Sequence, residues 1–422
     1  GSAANKKKVA EIVRREQARI TVLSAMSGTT DSLVRISRAA ASGDRNAIEE
    51  QLAMLTDKYT RCIEELLRER KQQALARMNA TFGLIRDEAA AFEEYESERK
   101  IIAQGELLTS AIFTAYLQET GLKAECLYSP DFMVKDPGEK VDTERIGRAL
   151  ARVAGDDSTF FVAQGFICSD SQGRIDNLGR GGSDYSAALM GAAVEAAEVQ
   201  IWTDIDGMHN NDPRFVDNTR PIRTMSFDEA AELAYFGAKI LHPATIQPCK
   251  DHGIAVLLKN TMDPEAPGTT ISNRDDDTKS FHAVAAKDGI TVIRIHSARM
   301  LMAYGFLRKV FEIFEQYRTP IDMITTSEVA VSLTVDNDTH IDEIVRDLSA
   351  LGSIEIERGN SIVCVVGRME HGDAGLAARV FECVRGVPIK MISYGASHRS
   401  LAILIDTEHK KRTLQCLNDG LF

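Results

Sequence analysis

The chain has 422 residues, room for two or three domains, and its 44% hydrophobic and 27% charged content excludes a disordered polymer. A formal net charge of −12 argues against nucleic acid as the main partner, because phosphate contacts need clustered Lys and Arg. No apolar run reaches the ~18–20 residues of a membrane helix, and the seven scattered cysteines form no CxxC pair, so a reducing cytoplasm is the expected compartment.

Residues 5–17 read as a basic helix, either a solvated face or a binding patch. Residues 19–24 read as a strand, and Ala25-Met-Ser-Gly-Thr-Thr-Asp31 as a polar turn into a helix. Such a turn can hold an anion or simply cap the helix with its hydroxyls. Between Asp44 and Arg99 there is no strand pattern; Ile48, Leu52, Leu55, Tyr59, Cys62 and Leu66 recur at four and three residues, one apolar helix face. A further helix is expected to begin at Gln104 and end near Gly121, with Glu106 in its first turn. There Glu106 is either a dipole-favoured surface carboxylate or one facing a ligand ammonium.

Residues 123–127 read as a strand, 135–140 as a loop, and 159–168 as one buried strand. Then comes Asn177-Leu-Gly-Arg-Gly-Gly-Ser-Asp-Tyr185, followed by an alanine-rich helix over 186–198. A glycine-rich loop before a helix N-terminus is a common anion cradle, since its N–H groups lack partners and the helix dipole favours negative charge. Arg180 adds a fork for a carboxylate or phosphate, and Asp184 an acidic group that would orient Mg²⁺ or a reacting group.

Residues 199–207 form a strand whose end carries Thr203 and Asp204, the place where ligands sit in open α/β sheets. Asn210–Arg214 is a turn from which Arg214 would reach a phosphate. A helix over 227–236 runs into Gly237-Ala-Lys239-Ile240, where Lys239 is a phosphate clamp or an ordinary surface lysine. Residues 254–258 are another strand. Alternating strands and helices over about 270 residues predict a mainly parallel sheet with helices on both faces. The polar break at 273–278 marks the domain boundary. Beyond it, strands over 281–286, 290–296, 321–325, 329–335, 353–357, 361–366, 389–393 and 400–405 alternate with helices over 305–318, 340–350, 375–384 and 407–417. This gives two βαββαβ-like units of roughly 60–75 residues, the ferredoxin-like kind that often senses ligands or dimerises. There is no P-loop, no Rossmann fingerprint, no zinc-protease, hydrolase or protein-kinase signature, and no histidine pair at metal-ligand spacing.

Eight segments then become specific. Val22–Thr30, Gly105–Leu108, Leu178–Tyr185, Ile201–Asp204, Asn211–Arg214, Phe236–Pro243, Met323–Val329 and Met391–Gly395 occur in this order. Together they resemble the aspartokinases over nearly the whole chain. The resemblance implies an amino-acid-kinase fold over 1–274 and two interleaved ACT domains over 275–422. The first ACT domain would span about 291–358, and the second 281–290 plus 361–422. It implies a monofunctional enzyme that converts L-aspartate and ATP to 4-phospho-L-aspartate and ADP, with feedback through the ACT domains. Related alternatives are an N-acetylglutamate kinase or a non-catalytic amino-acid sensor on the same scaffold.

By the same resemblance Arg180 meets an aspartate carboxylate, Glu106 the ammonium, and Thr30 and Ser183 the rest of the substrate. Asp184 and Arg180 are the catalytic pair, with Mg²⁺ arriving on ATP and no direct protein ligand. Thr203, Asp204, His209, Arg214, Lys239 and Ile240 would line the nucleotide. Met300, Gly305, Asp322, Ser327 and Glu328 would line an effector site for lysine or threonine. His209 stands where many members carry Tyr, and Ala303 where a serine is common. The family opens with a Lys-Phe-Gly-Gly strand whose lysine contacts the transferring phosphoryl group, and that strand is not among the 422 residues. A cytoplasmic homodimer through the ACT domains, or a tetramer, is expected, with no nucleic acid and no membrane as partner.

Overall fold

The structure, a computed structural model, describes residues 2–138, 140–154, 158–179, 181–236, 243–273, 280–297, 300, 304–369 and 375–422. The chain divides into two units, Gly1–Asp206 with Ala244–Asn273, and Gly207–Pro243 with Arg274–Phe422.

The first unit opens with α1 (Ala3–Glu16), capped by the Ser2 hydroxyl, which accepts from the Asn5 N–H. Then follow β1 (Ile20–Leu23), α2 (Thr29–Ser42), α3 (Arg45–Leu66), α4 (Lys71–Ala90) and α5 (Glu94–Glu119). The apolar face read on α3 is real: Leu52, Leu55, Tyr59 and Ile63 pack with Ile36 of α2, Met78 and Ile85 of α4, and Ile101 and Leu108 of α5 in one core. Next come β2 (Ala124–Cys126), β3 (Val134–Lys135), α6 (Thr143–Ala154), β4 (Phe160–Gln164), β5 (Ile167–Asp170), β6 (Ile175–Asn177), α7 (Gly182–Ala193) and β7 (Glu198–Thr203). The segment that follows belongs to the second unit and carries β8 (Thr224–Ser226) and α8 (Phe227–Tyr235). The chain returns to the first unit with α9 (Gln247–His252), β9 (Ala255–Asn260) and β10 (Thr269–Ser272).

Strand β4 lies between β1 and β2, parallel to both, and every one of its residues is buried. Alternate side chains of a strand point to opposite faces. Phe160 and Val162 therefore pack with Ala10 and Val13 of α1 and Phe113 and Leu117 of α5. Phe161 and Ala163 pack with Ile146 and Leu150 of α6 and Leu189 and Met190 of α7. The expected helix–sheet–helix sandwich is built on that alternation. A second parallel pair joins β7 to β9, with β10 antiparallel beyond it.

Two readings of the first unit need correcting. Residues 159–168 are two strands: the chain turns at Gly165–Phe166, where Phe166 has φ +67°, and β5 pairs antiparallel with β6. The glycine-rich loop is thus delivered by a hairpin. Glu106 lies near the middle of α5, since that helix starts twelve residues earlier in the acidic run at Glu94. The charged residues 93–99 mask the helix start, because they lack the apolar period by which it would be read.

The second unit holds β11 (Phe281–His296), α10 (Phe306–Gln316), β12 (Ile324–Thr326), β13 (Ala330–Val335), α11 (Ile341–Leu348), β14 (Ser353–Gly367), α12 (Leu376–Cys383), β15 (Met391–Tyr394), β16 (Ser400–Asp406) and α13 (Lys410–Leu421). Its sheet runs β12-β13-β11-β14-β16-β15, every neighbouring pair antiparallel. The strands expected separately at 281–286 and 290–296 are one strand with register shifts between Lys287 and Val292, and 353–357 and 361–366 are likewise one. One core gathers α10 and α11 on Ile293, Ile295, Leu333 and Val335, and another gathers α12 and α13 on Val363, Val365 and Ile403.

Candidate active site

Four segments of the first unit converge. Ser24 follows β1, and its hydroxyl donates to Ser183 Oγ at the start of α7, 2.8 Å away. The Ala25 N–H donates to Glu106 Oε1 of α5 at 3.1 Å. Gly165 follows β4, and a Cβ there would stand 2.7 Å from the Ser183 Cβ and Oγ. Gly105 allows a similar approach on the other side, since a Cβ there would stand 2.9 Å from the Ala25 Cβ. Only glycine leaves room at these two crossings.

The backbone round this point is pinned. Gln164 holds the end of β4, donating to Ser110 Oγ at 2.7 Å and to the Leu127 carbonyl at 2.9 Å. The Phe166 N–H donates to Ser186 Oγ of α7, and the Leu178 N–H to the Phe166 carbonyl, so hairpin, loop and helix form one bonded block. Helices α2 and α7 both start on a left-handed glycine, Gly28 at φ +74° and Gly181 at φ +71°, with no side-chain cap. Uncapped first turns present N–H groups to an anion.

The electrostatics are dominated by one buried carboxyl, Glu106, and one half-buried, Asp184. Glu106 is 3% exposed; its Oε2 is buried without a hydrogen-bond partner, and burial pushes its pKa up to about 7 against the Ala25 N–H bond that favours ionisation. Asp184, in the first turn of α7, is pushed up to about 6 by burial. Among the described residues no cation pairs with either carboxylate. Nearby, the Tyr59 hydroxyl lies 3.4 Å from Thr29 Oγ1 and 3.3 Å from Thr109 Oγ1. Lys58 donates to the Ser27 carbonyl and to Thr29 Oγ1, fixing the turn before α2. Among the described residues no group of three or more His, Cys, Asp or Glu could hold a metal ion.

Thr30 is half-buried in the first turn of α2, Ser183 and Asp184 are half-buried in that of α7, and Glu106 is bonded to the turn between β1 and α2. Arg180, Lys239 and Ile240 lie outside the described residues. Strand β7 ends at Thr203, short of the expected 207, and Asp204 follows it, its N–H donating to Thr203 Oγ1 at 2.6 Å. His209 and Arg214 belong to the second unit. His209 Nδ1 meets Thr219 Oγ1 at 3.1 Å, and Arg214 forks onto Asp212, its Nη2 2.6 Å from Oδ2.

At the expected effector positions, Met300 is half-buried, Gly305 caps α10 at φ +79°, and Ser327 and Glu328 are exposed. Asp322 is tightly held: its Oδ1 accepts from Tyr235 Oη at 2.7 Å and Lys287 Nζ at 2.8 Å, while its Oδ2 is buried without a hydrogen-bond partner. Sequence reasoning missed Ser24, Lys58 and Gly165. Ser24 was within reach, because it sits at the carboxyl end of a parallel strand. The other two act through the backbone and carry no motif of their own.

The profile of the amino acid kinase family matches residues 2–260, and that of the ACT domain residues 363–421. The fold and its glycine loop therefore define an amino acid kinase joined to a regulatory module. The lysine-sensitive aspartokinase 3 of Escherichia coli is 34% identical over 430 residues, covering 96% of this chain and 92% of that protein. The crystal structure of E. coli aspartokinase III in complex with aspartate and ADP superposes with a TM-score of 0.85 at 32% identity, covering 99% of this chain and 96% of that one. The structure of the same enzyme with lysine and aspartate gives 0.83 at 32% identity, with the same coverage. The chain belongs to the aspartokinases, the enzymes that phosphorylate L-aspartate with ATP and are regulated by feedback.

Proposed function

We propose that residues 1–274 form the catalytic domain, residues 275–422 carry the two ACT domains, and the side chains that α2, α5 and α7 bring together grip L-aspartate at both ends. The supporting observation is the orphaned, buried Oε2 of Glu106. A substrate ammonium supplies the partner that oxygen lacks and draws the carboxyl into its ionised form. An acetylated amine has no such charge, so the free amino acid fits better than an N-acetylated one. Arg180 forks onto the α-carboxylate, while Ser183 and Thr30 donate to the remaining oxygens.

The substrate's side-chain carboxylate attacks the γ-phosphorus. A new C–O–P bond forms as the bond from phosphorus to the β–γ bridging oxygen breaks, and ADP departs with that electron pair. A carboxylate nucleophile needs no general base, so the chain's task is positioning and charge. Thr203 and Asp204, at the carboxyl end of β7, hold the nucleotide. Mg²⁺ bound with ATP would offset charge on the phosphates. Asp184, a half-buried carboxylate whose pKa burial raises to about 6, would suit the neighbourhood of that ion. Lysine, which the E. coli relative binds, is the effector favoured over threonine. A cytoplasmic homodimer joined through the ACT sheet completes the reading. Its short edge strands β12 and β15 expose Ile324, Ile392 and Tyr394, as a mating edge would.

A hydroxamate assay tests the grip. Glu106→Gln is expected to raise the aspartate KM about 30- to 100-fold, some 2–3 kcal/mol, and to leave the ATP KM within about twofold. Asp184→Asn should cost about 100-fold or more in kcat while remaining folded. A wild-type aspartate KM in Glu106→Gln would remove that residue from the ammonium site.

A further inference from the structure

The residue that ends the hairpin before the glycine loop carries a charge that the reaction does not use. Asp176 belongs to β6, and its side chain is only 5% exposed. Three donors converge on its carboxylate. Arg99 Nε reaches Oδ1 at 2.5 Å, Lys135 Nζ reaches Oδ2 at 2.7 Å, and the Asn177 N–H reaches Oδ1 at 2.8 Å. Lys135 also lies 3.3 Å from the Asn177 carbonyl oxygen. Both backbone groups of Asn177, the first residue of the loop, are therefore held by this cluster. Asn177 continues the chain of contacts, because its Oδ1 accepts from the Gly179 N–H at 3.1 Å.

The other end of the cluster lies on the helix that bears Glu106. Arg99 and Glu106 are seven residues apart on α5, two turns and about 10 Å along one side of the helix. The guanidinium of Arg99 is steadied from a second direction by the Tyr95 ring, whose centroid lies 3.4 Å away. Strand β3 brings Lys135 in from β5, its parallel neighbour. One rigid helix thus offers a carboxylate to the substrate ammonium and, two turns earlier, a cation to the root of the loop that carries Ser183 and Asp184.

We propose that Arg99, Lys135 and Asp176 are positioning residues for aspartate phosphorylation, setting the span between Glu106 and the Ser183–Asp184 end of the loop. They touch neither substrate nor nucleotide. The span sets which chain length of acidic amino acid fits between the ammonium holder and the phosphoryl group. A held span accepts aspartate and rejects glutamate, which is one methylene longer; a loosened one loses that distinction. Such a difference is ordinarily a factor of about 10–200 in specificity.

The inference rests on the proposed role of Glu106, so the experiment carries that residue as its control. In the hydroxamate assay on the full-length protein, Arg99→Met and the near-isosteric Asp176→Asn are expected to raise the aspartate KM about tenfold. They should lower the aspartate-to-glutamate ratio of kcat/KM by a similar factor and leave the ATP KM unchanged. Arg99→Lys, which keeps a cation for Asp176, should restore most of the ratio. Unchanged aspartate KM and ratio in both variants, beside a raised KM in Glu106→Gln, overturns the positioning role alone. A uniform loss of aspartate and ATP affinity with a lowered melting temperature makes the cluster merely structural and overturns it too. A wild-type KM in Glu106→Gln overturns the site reading, and the inference with it.

Discussion

Glu106, proposed above as the ammonium holder, carries a stability cost of its own. Its folded-state pKa of about 7 lies above the ordinary 4.5, so the folded chain holds that proton more tightly than the unfolded one. Stability therefore falls as pH rises between those two values, and the full penalty, at most about 3 kcal/mol, is present above pH 7. Glu106→Gln should gain about 1–3 kcal/mol in urea unfolding at pH 8 and nothing at pH 4. An equal gain at both pH values would show that the proton is not the cause. The same ionisation shapes turnover. With aspartate limiting, kcat/KM should climb about tenfold per pH unit below 7, and Glu106→Gln should lose that limb. In the sequence the residue stands open between a surface carboxylate and an ammonium holder, and only the family resemblance favours the second. The isolation of Glu106 was not legible there: burial comes from helices α2, α3 and α4 packing round α5, contacts between residues far apart in the chain.

Among the elements, the hairpin of β5 and β6 is what the sequence concealed. The run from Phe160 to Cys168, apolar but for Gln164 and Gly165, reads as one buried strand, and Gly165 inside it signals a turn only weakly. The sandwich itself was legible, since β4 is apolar on both faces and such a strand needs helices on both sides. The turn has a price in sequence freedom. Gly165→Ala would put its methyl 2.7 Å from the Ser183 Cβ, closer than packed atoms approach, and its contact at 2.8 Å with the Ser183 Cα leaves no side-chain rotation as an escape. We expect kcat/KM for aspartate to fall about 100-fold or more through displaced substrate contacts, with the helical core of α2 to α5 intact by circular dichroism. Normal kinetics would mean that the β4–α7 crossing is softer than its packing.

Across the whole molecule, two activities share one chain. The periodicity of the last 150 or so residues revealed a duplicated βαββαβ pattern, but not that its neighbouring strands fuse. The polar Lys287-Asp288-Gly289 break, where Gly289 has φ +75° and the register shifts, separates two apolar runs that belong to one strand. The effector reading is checked by titrating the activity. Lysine should inhibit, threonine should do so more weakly, and Asp322→Asn should shift the lysine midpoint at least about fivefold, because Tyr235 and Lys287 already compete for that carboxylate. A flat response to lysine in the wild-type enzyme would sink it.

Strands β11 and β14 cross both halves of that sheet, sixteen and fifteen residues without a linker. Two modules joined by a tether can be cut apart, exchanged or lost one at a time. Two modules threaded on the same pair of strands cannot, since any break in either strand removes the central rungs of both. The duplication has become a single inheritable part: selection can retune either half by substitution, but it can delete neither without discarding the other.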